Sequence, residues 1–192
     1  IGTAAMIARI KEDAPFWKNI FDSLDGVTQG KEIRIFLVSS VFGGTGASGF
    51  PSIARLIRAI LKQKGITHNV YIGGSLLLPY FSFPKPDNET DRDESALSDT
   101  FLQQSRGALN YYYRLFKNEK VFDELYLSGW DPLIQLNYFD SGGTGQNNPP
   151  LIPELYSCLS ASEFFTKENI DSVDESSVYY TSRDKDNEFS WG

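Results

Sequence analysis

Residues 33–57 place a glycine-rich turn between a strand and a helix, and this arrangement constrains the fold more than any other feature. The segment reads IRIFLVSSVFGGTGASGFPSIARLI. Its first part is apolar except for Arg34, as is typical of a strand covered on both faces of a parallel sheet. Its last part, from Pro51, has the apolar period of a helix. The sequence therefore predicts an α/β fold, a three-layer Rossmann-like sandwich with a mostly parallel sheet.

The turn between these elements has the composition of a phosphate-binding loop. Four glycines, one Thr and one Ser occur within the seven residues 43–49. Glycine permits positive φ and lets backbone N–H groups approach an anion closely. The following helix directs its unpaired N–H groups and positive dipole end at the same point. The alternative is an ordinary strand-to-helix turn whose glycines only permit tight packing.

Two common nucleotide motifs fit this turn poorly. A P-loop requires a lysine that is absent between Arg34 and Arg58. A dinucleotide fingerprint is formally present as Gly44-x-Gly46-x-x-Gly49, but it requires an acid about twenty residues later. Residues 33–86 contain no Asp or Glu. A Rossmann-type domain for another nucleotide is therefore disfavoured, although it stays an alternative.

The amino-acid sequence of the turn is more specific than the P-loop and dinucleotide-binding motifs. FGGTGASGFPSIARLI resembles the signature of the tubulin/FtsZ family, whose phosphate loop runs GGGTGTG or GGGTGSG before a helix. Phe42 stands in place of the first glycine, and Gly49 comes one residue late. Residues 1–5, IGTAA, look like the end of the family's γ-phosphate loop, and residues 70–83 look like its next core strand. The resemblance extends to about residue 135 and points to a divergent bacterial tubulin-like protein.

This resemblance implies a GTP-binding subunit that self-associates head to tail and acts as a GTPase, with Mg²⁺ accompanying the GTP. It assigns phosphate contacts to Gly43, Gly44, Thr45, Gly46, Ala47 and Ser48, with Gly2 near the γ-phosphate. Contacts to the base or ribose fall on Trp130, Asn148 and Glu154. The NxDxxD sequence of residues 169–174 implies Asp171 and Asp174 as catalytic acids that reach the neighbouring subunit. For Trp130 the alternative is a tryptophan that packs against the rest of the protein. For Asp171 and Asp174 the alternative is an acidic connector exposed to solvent.

One departure from the family favours a second hypothesis. The acidic ribose ligand expected after the Leu-Pro exit of the strand is replaced by Pro84 or Lys85. The alternative is a scaffold protein that keeps the fold and has lost turnover. Residues 1–192 form a single nucleotide-binding-like domain in either case. The family's first strand and first glycine loop lie upstream of the γ-phosphate loop, so we expect both to be missing here.

Charge and rare residues limit the other functions. The chain carries −7, but residues 33–86 carry +6, which leaves −13 for the remainder. This basic segment suits a small anionic ligand better than a nucleic-acid duplex, although a solvated helix face is the alternative. The single Cys excludes an internal disulfide and a cysteine-rich metal site, and we reject a Ser-His-Asp triad and a His-based metal site because each would rest on His68 alone. We expect Cys158 to be buried and His68 to lie in a surface turn. No run of eighteen apolar residues exists, so we expect no membrane span and a cytoplasmic protein.

The remaining periodicity predicts alternating helices and strands. Tyr112 is expected in the core, between the surface tyrosines Tyr111 and Tyr113. A second GGTG, at residues 142–145, is expected to be a loop, as is the charged stretch 83–98. We predict helices over 4–24, 51–64, 96–117 and from 152, strands over 33–38, 70–78 and 121–127, and a strand–turn–strand over 176–191.

Overall fold

Parallel strands form the centre of the molecule and helices cover both faces. The computed structural model describes residues 32–66, 68–83, 100–137, 148–170 and 177–181, together with Pro15, Lys18 and Asp22 as helical residues. The elements are β1 (Ile33–Ser40), α1 (Gly44–Gln63), β2 (Val70–Leu77), β3 (Phe81–Ser82), α2 (Phe101–Asn118), β4 (Glu124–Ser128), β5 (Ile134–Gln135), α3 (Ile152–Thr166) and β6 (Ser177–Thr181). The predicted α/β class is confirmed.

The described strands pair in the order β1–β2–β4–β6, and every pair is parallel. Ile33 lies opposite Val70, and Gly73 lies opposite Glu124. The short strands β3 and β5 form a separate parallel pair beyond the carboxyl ends of β2 and β4. Because all four strands of the main sheet run the same way, the chain leaves each of them at one common edge.

Side chains of β2 alternate between two cores. Ile72 and Leu76 face α1 and α2, and both are fully buried. Ser75 faces α3, where its hydroxyl accepts a hydrogen bond of 2.9 Å from the Ser157 hydroxyl. The larger core lies on the α1/α2 side of the sheet. The smaller core lies on the α3 side and is built from Tyr126, Phe164, Ile170, Phe36 and Tyr71.

Gly73 and Gly74 let aromatic rings from both layers reach the backbone of β2. A Cβ atom at Gly73 would lie 2.7 Å from the rings of Phe164 and Phe36, and one at Gly74 would lie 2.6 Å from Phe50. Protein side chains therefore occupy the space that these two glycines leave open, so the pair serves the core.

Helix α1 begins at Gly44, seven residues before the predicted start at Pro51, and ends close to the predicted residue 64 at a C′ glycine. Gly65 has a φ of 72°, a conformation that glycine adopts without strain. The N–H of Ile66 donates to the carbonyl of Leu61 over 2.9 Å, and the N–H of Gly65 donates to that of Lys62 over 3.1 Å. This pair of bonds is the Schellman motif, which satisfies the last carbonyls of a helix.

Buried acids carry out structural roles at the start of β4. Asp123 is 3% exposed and accepts hydrogen bonds from the backbone N–H of Ile72 over 2.7 Å and from Arg58 over 2.5 Å. Lys120 lies 3.0 Å from its other carboxylate oxygen. Arg55 pairs with Glu119 on the surface. Arg55 and Arg58 of α1 therefore pair with acids that are more than sixty residues away in the sequence. These two basic side chains do not surround the glycine turn.

Helix α3 is hydrogen-bonded to the sheet near its carboxyl end as well as at Ser157. Arg34 of β1 donates to the carbonyl of Phe164 over 2.6 Å. Lys167, just after the helix, donates to Glu124 over 2.6 Å, and the other oxygen of this buried carboxylate accepts the hydroxyl of Tyr126. These bonds fix the position of α3 along the sheet.

The prediction for Cys158 is wrong. This residue is exposed on α3, alongside the exposed side chains of Leu155 and Leu159. The helix is apolar on most sides, so its sequence does not reveal which face is covered. His68 is exposed, as predicted.

Several predicted segments fall wholly or partly outside the described residues. The helix over 4–24 is described only at its three isolated positions, and the loop at 142–145 lies outside, as does nearly all of the stretch 83–98. Of the predicted strand–turn–strand, β6 is described. No helix in the described part of the chain is long and apolar enough to cross a membrane.

The packing at Gly73 predicts a stability difference between two glycine substitutions. We expect Gly73→Ala to destabilise the fold by about 1–3 kcal/mol, because the new methyl group collides with two aromatic rings. Gly107→Ala is the matched control: Gly107 lies within α2 with open space around it, so alanine should stabilise the protein by about 0.5–1 kcal/mol. Urea unfolding of both variants measures the difference. Equal stabilities would contradict the described packing of β2.

Candidate functional site

The chain segments that leave β1, β2 and β4 are tied together at the carboxyl edge of the sheet. The N–H of Val41 donates to the carbonyl of Leu77 over 2.9 Å, and the N–H of Leu78 donates to that of Ser128 over 2.7 Å. In open parallel sheets, ligands bind in the crevice beyond this edge. The first turn of α1 and the start of α3 lie at the same edge.

The first turn of α1 presents backbone donors that carry no side-chain cap. The helix begins at Gly44, with Gly43 as an extended N-cap that makes no side-chain hydrogen bond. The first helical bond runs from the N–H of Ala47 to the carbonyl of Gly43 over 2.8 Å. The N–H groups of Gly44, Thr45 and Gly46 precede it, and no acid lies in this turn. Such a helix end attracts an anion through its N–H groups and its dipole.

The glycines of this turn act differently from the sequence expectation. Gly43 has a φ of −101°, and among the described glycines only Gly65 has a positive φ. Gly46 is needed because a Cβ atom there would lie 2.7 Å from the Ser40 carbonyl oxygen. A Cβ atom at Gly44 would meet nothing within 4 Å. The packing interpretation therefore explains Gly46, whereas Gly44 leaves the helix end open to solvent.

The other residues predicted to contact phosphate lie in the same helical turn. Thr45 is exposed. The Ser48 hydroxyl donates to the carbonyl of Gly44 over 2.8 Å, so it is engaged within the helix. The carbonyl of Ala47 accepts a hydrogen bond from the hydroxyl of Tyr112 on α2. An anion at this turn would be contacted by the backbone N–H groups and by the Thr45 hydroxyl.

Phe42 anchors the segment that leads into this turn. Its ring stacks on Phe101 with centroids 5.0 Å apart, and it meets Phe81 edge-on at 5.4 Å and Tyr80 at 6.0 Å. These rings join the ends of β1 and β2 to the start of α2. Sequence reasoning identified Phe42 as a departure from a glycine triplet, but it missed this cluster because the partners are distant in sequence.

Tyr80 and Glu154 join the exit of β2 to the start of α3. The Tyr80 hydroxyl donates to one carboxylate oxygen of Glu154 over 2.8 Å. The other oxygen accepts the N–H of Leu151 over 3.0 Å and so caps α3. Burial of Tyr80, and then its bond to Glu154, raise the pKa of the phenol above its usual range. The Ser128 hydroxyl reaches the carbonyl of Pro153 over 3.3 Å, which adds β4 to this junction.

The elements around the glycine turn match a known family. Residues 4–97 match a family model described as tubulin like. Over this segment the chain is tubulin-like. The family suggested by the wording of the turn is thereby confirmed, and the matched part contains β1, α1 and β2 complete. No curated protein and no solved structure matches the chain.

The tubulin-like fold brings some of the predicted site residues to one edge. Trp130 follows β4 and is partly buried, and its backbone N–H donates to the carbonyl of Pro79 over 3.4 Å. Asn148 is partly buried ahead of α3. Gly2, Asp171 and Asp174 lie outside the described residues. The described part of the chain contains no cluster of side chains able to hold a metal ion.

Close packing at Gly46 predicts that two alanine substitutions in the same turn differ. We expect Gly46→Ala to destabilise the protein by about 1–3 kcal/mol, since the methyl group must displace the backbone at the end of β1. Gly44→Ala should change the free energy of unfolding by less than about 0.5 kcal/mol, because the site is open. Chemical denaturation distinguishes them. A neutral Gly46→Ala would contradict the described approach of α1 to β1.

The Tyr80–Glu154 bond predicts a stability loss at alkaline pH. Because the pKa of folded Tyr80 lies above the unfolded value of about 10, its contribution is complete below pH 10 and is lost as the pH rises further. We expect Tyr80→Phe to cost about 0.5–1.5 kcal/mol at neutral pH and to reduce the fall in stability above about pH 10. The exposed Tyr113→Phe is the control. If stability falls as steeply above pH 10 in Tyr80→Phe as in the wild-type protein, this phenol does not cause the fall.

Proposed function

We propose that this tubulin-like chain binds GTP with the first turn of α1. The observation that carries the proposal is the uncapped helix start at Gly43 and Gly44, which follows a parallel strand inside the tubulin-like segment. A glycine at position 44 leaves space that a side chain would fill. The edge of the sheet is also where ligands of open α/β folds bind.

Backbone donors supply most of the proposed phosphate contacts. The N–H groups of Gly44, Thr45 and Gly46 donate to the α- and β-phosphate oxygens, while the helix dipole favours their negative charge. The Thr45 hydroxyl adds a donor. Ala47 and Ser48 contribute by maintaining the turn, because the Ala47 N–H and the Ser48 hydroxyl are engaged inside the helix. Gly2 is proposed to approach the γ-phosphate.

The rest of the nucleotide is proposed to lie towards the exit of β4 and the start of α3. Trp130 offers a ring on which a base stacks, and Asn148 offers an amide. Glu154 already accepts two hydrogen bonds, so its further contact with the base or ribose is confined to its remaining lone pairs. Mg²⁺ would arrive bound to the phosphates and keep several waters, since it rarely relies on a protein cage.

Hydrolysis and head-to-tail assembly form the second part of the proposal. Asp171 and Asp174 of one subunit are proposed to position the attacking water at the nucleotide of the next. The N–H groups of α1 would then stabilise the charge that develops on the leaving group. A protein that assembles in this way would hydrolyse GTP only where two subunits are in contact.

A non-hydrolysing scaffold protein is the second candidate. The engagement of Glu154 by Tyr80 and Leu151 favours it, because this acid then serves the junction of α3 with the sheet. The pairing of Arg55 and Arg58 with acids also removes two basic groups from service to a ligand. In this case assembly continues without nucleotide.

A matched pair of substitutions at Gly44 tests the GTP site. We expect Gly44→Asp to lower GTP affinity at least about tenfold, because its carboxylate repels the phosphates. The same carboxylate should stabilise the free protein by about 0.3–1 kcal/mol through the helix dipole. Gly44→Asn has nearly the same shape without the charge and should retain more affinity. Calorimetry of the full-length protein with GTP, ATP and NAD measures binding, and thermal unfolding measures stability.

The outcomes separate the two candidates. Selective GTP binding that Gly44→Asp weakens, with stability kept, supports the proposed site and justifies GTPase and sedimentation assays. Equal affinity in the Asp and Asn variants would place the nucleotide elsewhere. A wild-type protein that sediments as an assembly but binds none of the three nucleotides would favour the scaffold.

A further inference from the structure

Pro51 leaves a carbonyl of α1 without its helical donor. In an α-helix the carbonyl of residue 47 accepts the N–H of residue 51, but proline has no N–H. Helix α1 nevertheless continues through Pro51 as far as Gln63. The carbonyl concerned belongs to Ala47, in the glycine-rich turn of the proposed GTP site.

Tyr112 supplies the missing donor from another helix. Its hydroxyl donates to the carbonyl of Ala47, and its side chain is 2% exposed. The ring is held by Phe116, stacked at a centroid distance of 5.7 Å, and by Phe50 at 6.4 Å. Burial, followed by the neighbouring Tyr111, raises the pKa of this phenol, so it stays a donor into the alkaline range.

The turn that receives this bond is otherwise held by bonds within α1, from the Ala47 N–H and the Ser48 hydroxyl, and by the contact of Gly46 with the end of β1. It contains Gly44 and Gly46, which have no side chains that could cap it. Its N-cap makes no side-chain hydrogen bond. The Ala47 carbonyl is partly buried, so without Tyr112 it would be left without a donor at a cost in free energy. The hydroxyl of Tyr112 therefore supplies a hydrogen bond that α1 cannot make within itself.

We propose that Tyr112 is a positioning residue for the triphosphate site, because its bond to Ala47 fixes the first turn of α1 in the geometry that aligns the three free N–H groups. This inference rests on the proposed GTP function. The positioning acts through the turn, since Tyr112 lies behind it on α2 and contacts no phosphate. Because Pro51 lacks the N–H that Tyr112 replaces, the positioning role of Tyr112 can be tested by substituting either residue.

A double-mutant cycle isolates this role. We expect Tyr112→Phe, which keeps the ring, to weaken GTP binding about three- to tenfold. Pro51→Ala restores an N–H that the Ala47 carbonyl accepts, so adding Tyr112→Phe to that variant should change affinity by less than about twofold. Tyr113→Phe removes an exposed hydroxyl on the same helix and is the control. Calorimetry of the full-length protein measures all variants.

Hydrogen exchange without nucleotide provides an independent measurement. Amides of residues 47–50 should exchange faster in Tyr112→Phe and return to the rate of Pro51→Ala in the double variant. If exchange is unchanged in Tyr112→Phe, the positioning role is overturned whether or not the wild-type protein binds GTP. An affinity loss that Pro51→Ala fails to rescue also overturns it. Faster exchange in a protein that binds no GTP supports the positioning of the turn and overturns the proposed function.

Discussion

The positions of α1 and α3 against the sheet depend on the packing of β2 between two sets of aromatic rings. β2 is bonded to β1 on one side and to β4 on the other. Gly73 lets Phe36 and Phe164 approach one face, and Gly74 lets Phe50 and Phe122 approach the other. Larger residues at these two positions would hold α1 and α3 away from the sheet. The starts of both helices, and hence the carboxyl edge, are located by this contact.

Local sequence signals predicted the elements that build the site. The apolar run of β1, the helical period after Pro51 and the C′ glycine at Gly65 each depend on near neighbours, so a single sequence reveals them. The wording of the turn also indicated the family correctly over residues 4–97. The backbone geometry of the turn was not predictable. Gly46 is required by contact with the end of β1, a tertiary constraint that resembles a ligand-binding signature in composition.

Contacts between distant residues account for what the sequence did not reveal. Arg58 and Asp123 are 65 residues apart, and Tyr80 and Glu154 are 74 apart, so charge counting could not show that each has a partner. A proline inside a helix does indicate a carbonyl that needs a donor, but not that Tyr112 provides it. Cys158 was misplaced because α3 is apolar on both its covered and uncovered sides, which leaves no period to distinguish them.

The fastening of α3 gives this helix a single stable register. Its start is bonded to the sheet through Glu154 and Tyr80, its middle through Ser157 and Ser75, and its end through the carbonyl of Phe164 and the side chain of Arg34. A slide of one helical turn, about 5.4 Å, would separate all three pairs together. A displacement at either end of α3 must therefore break hydrogen bonds at its start, middle and end together.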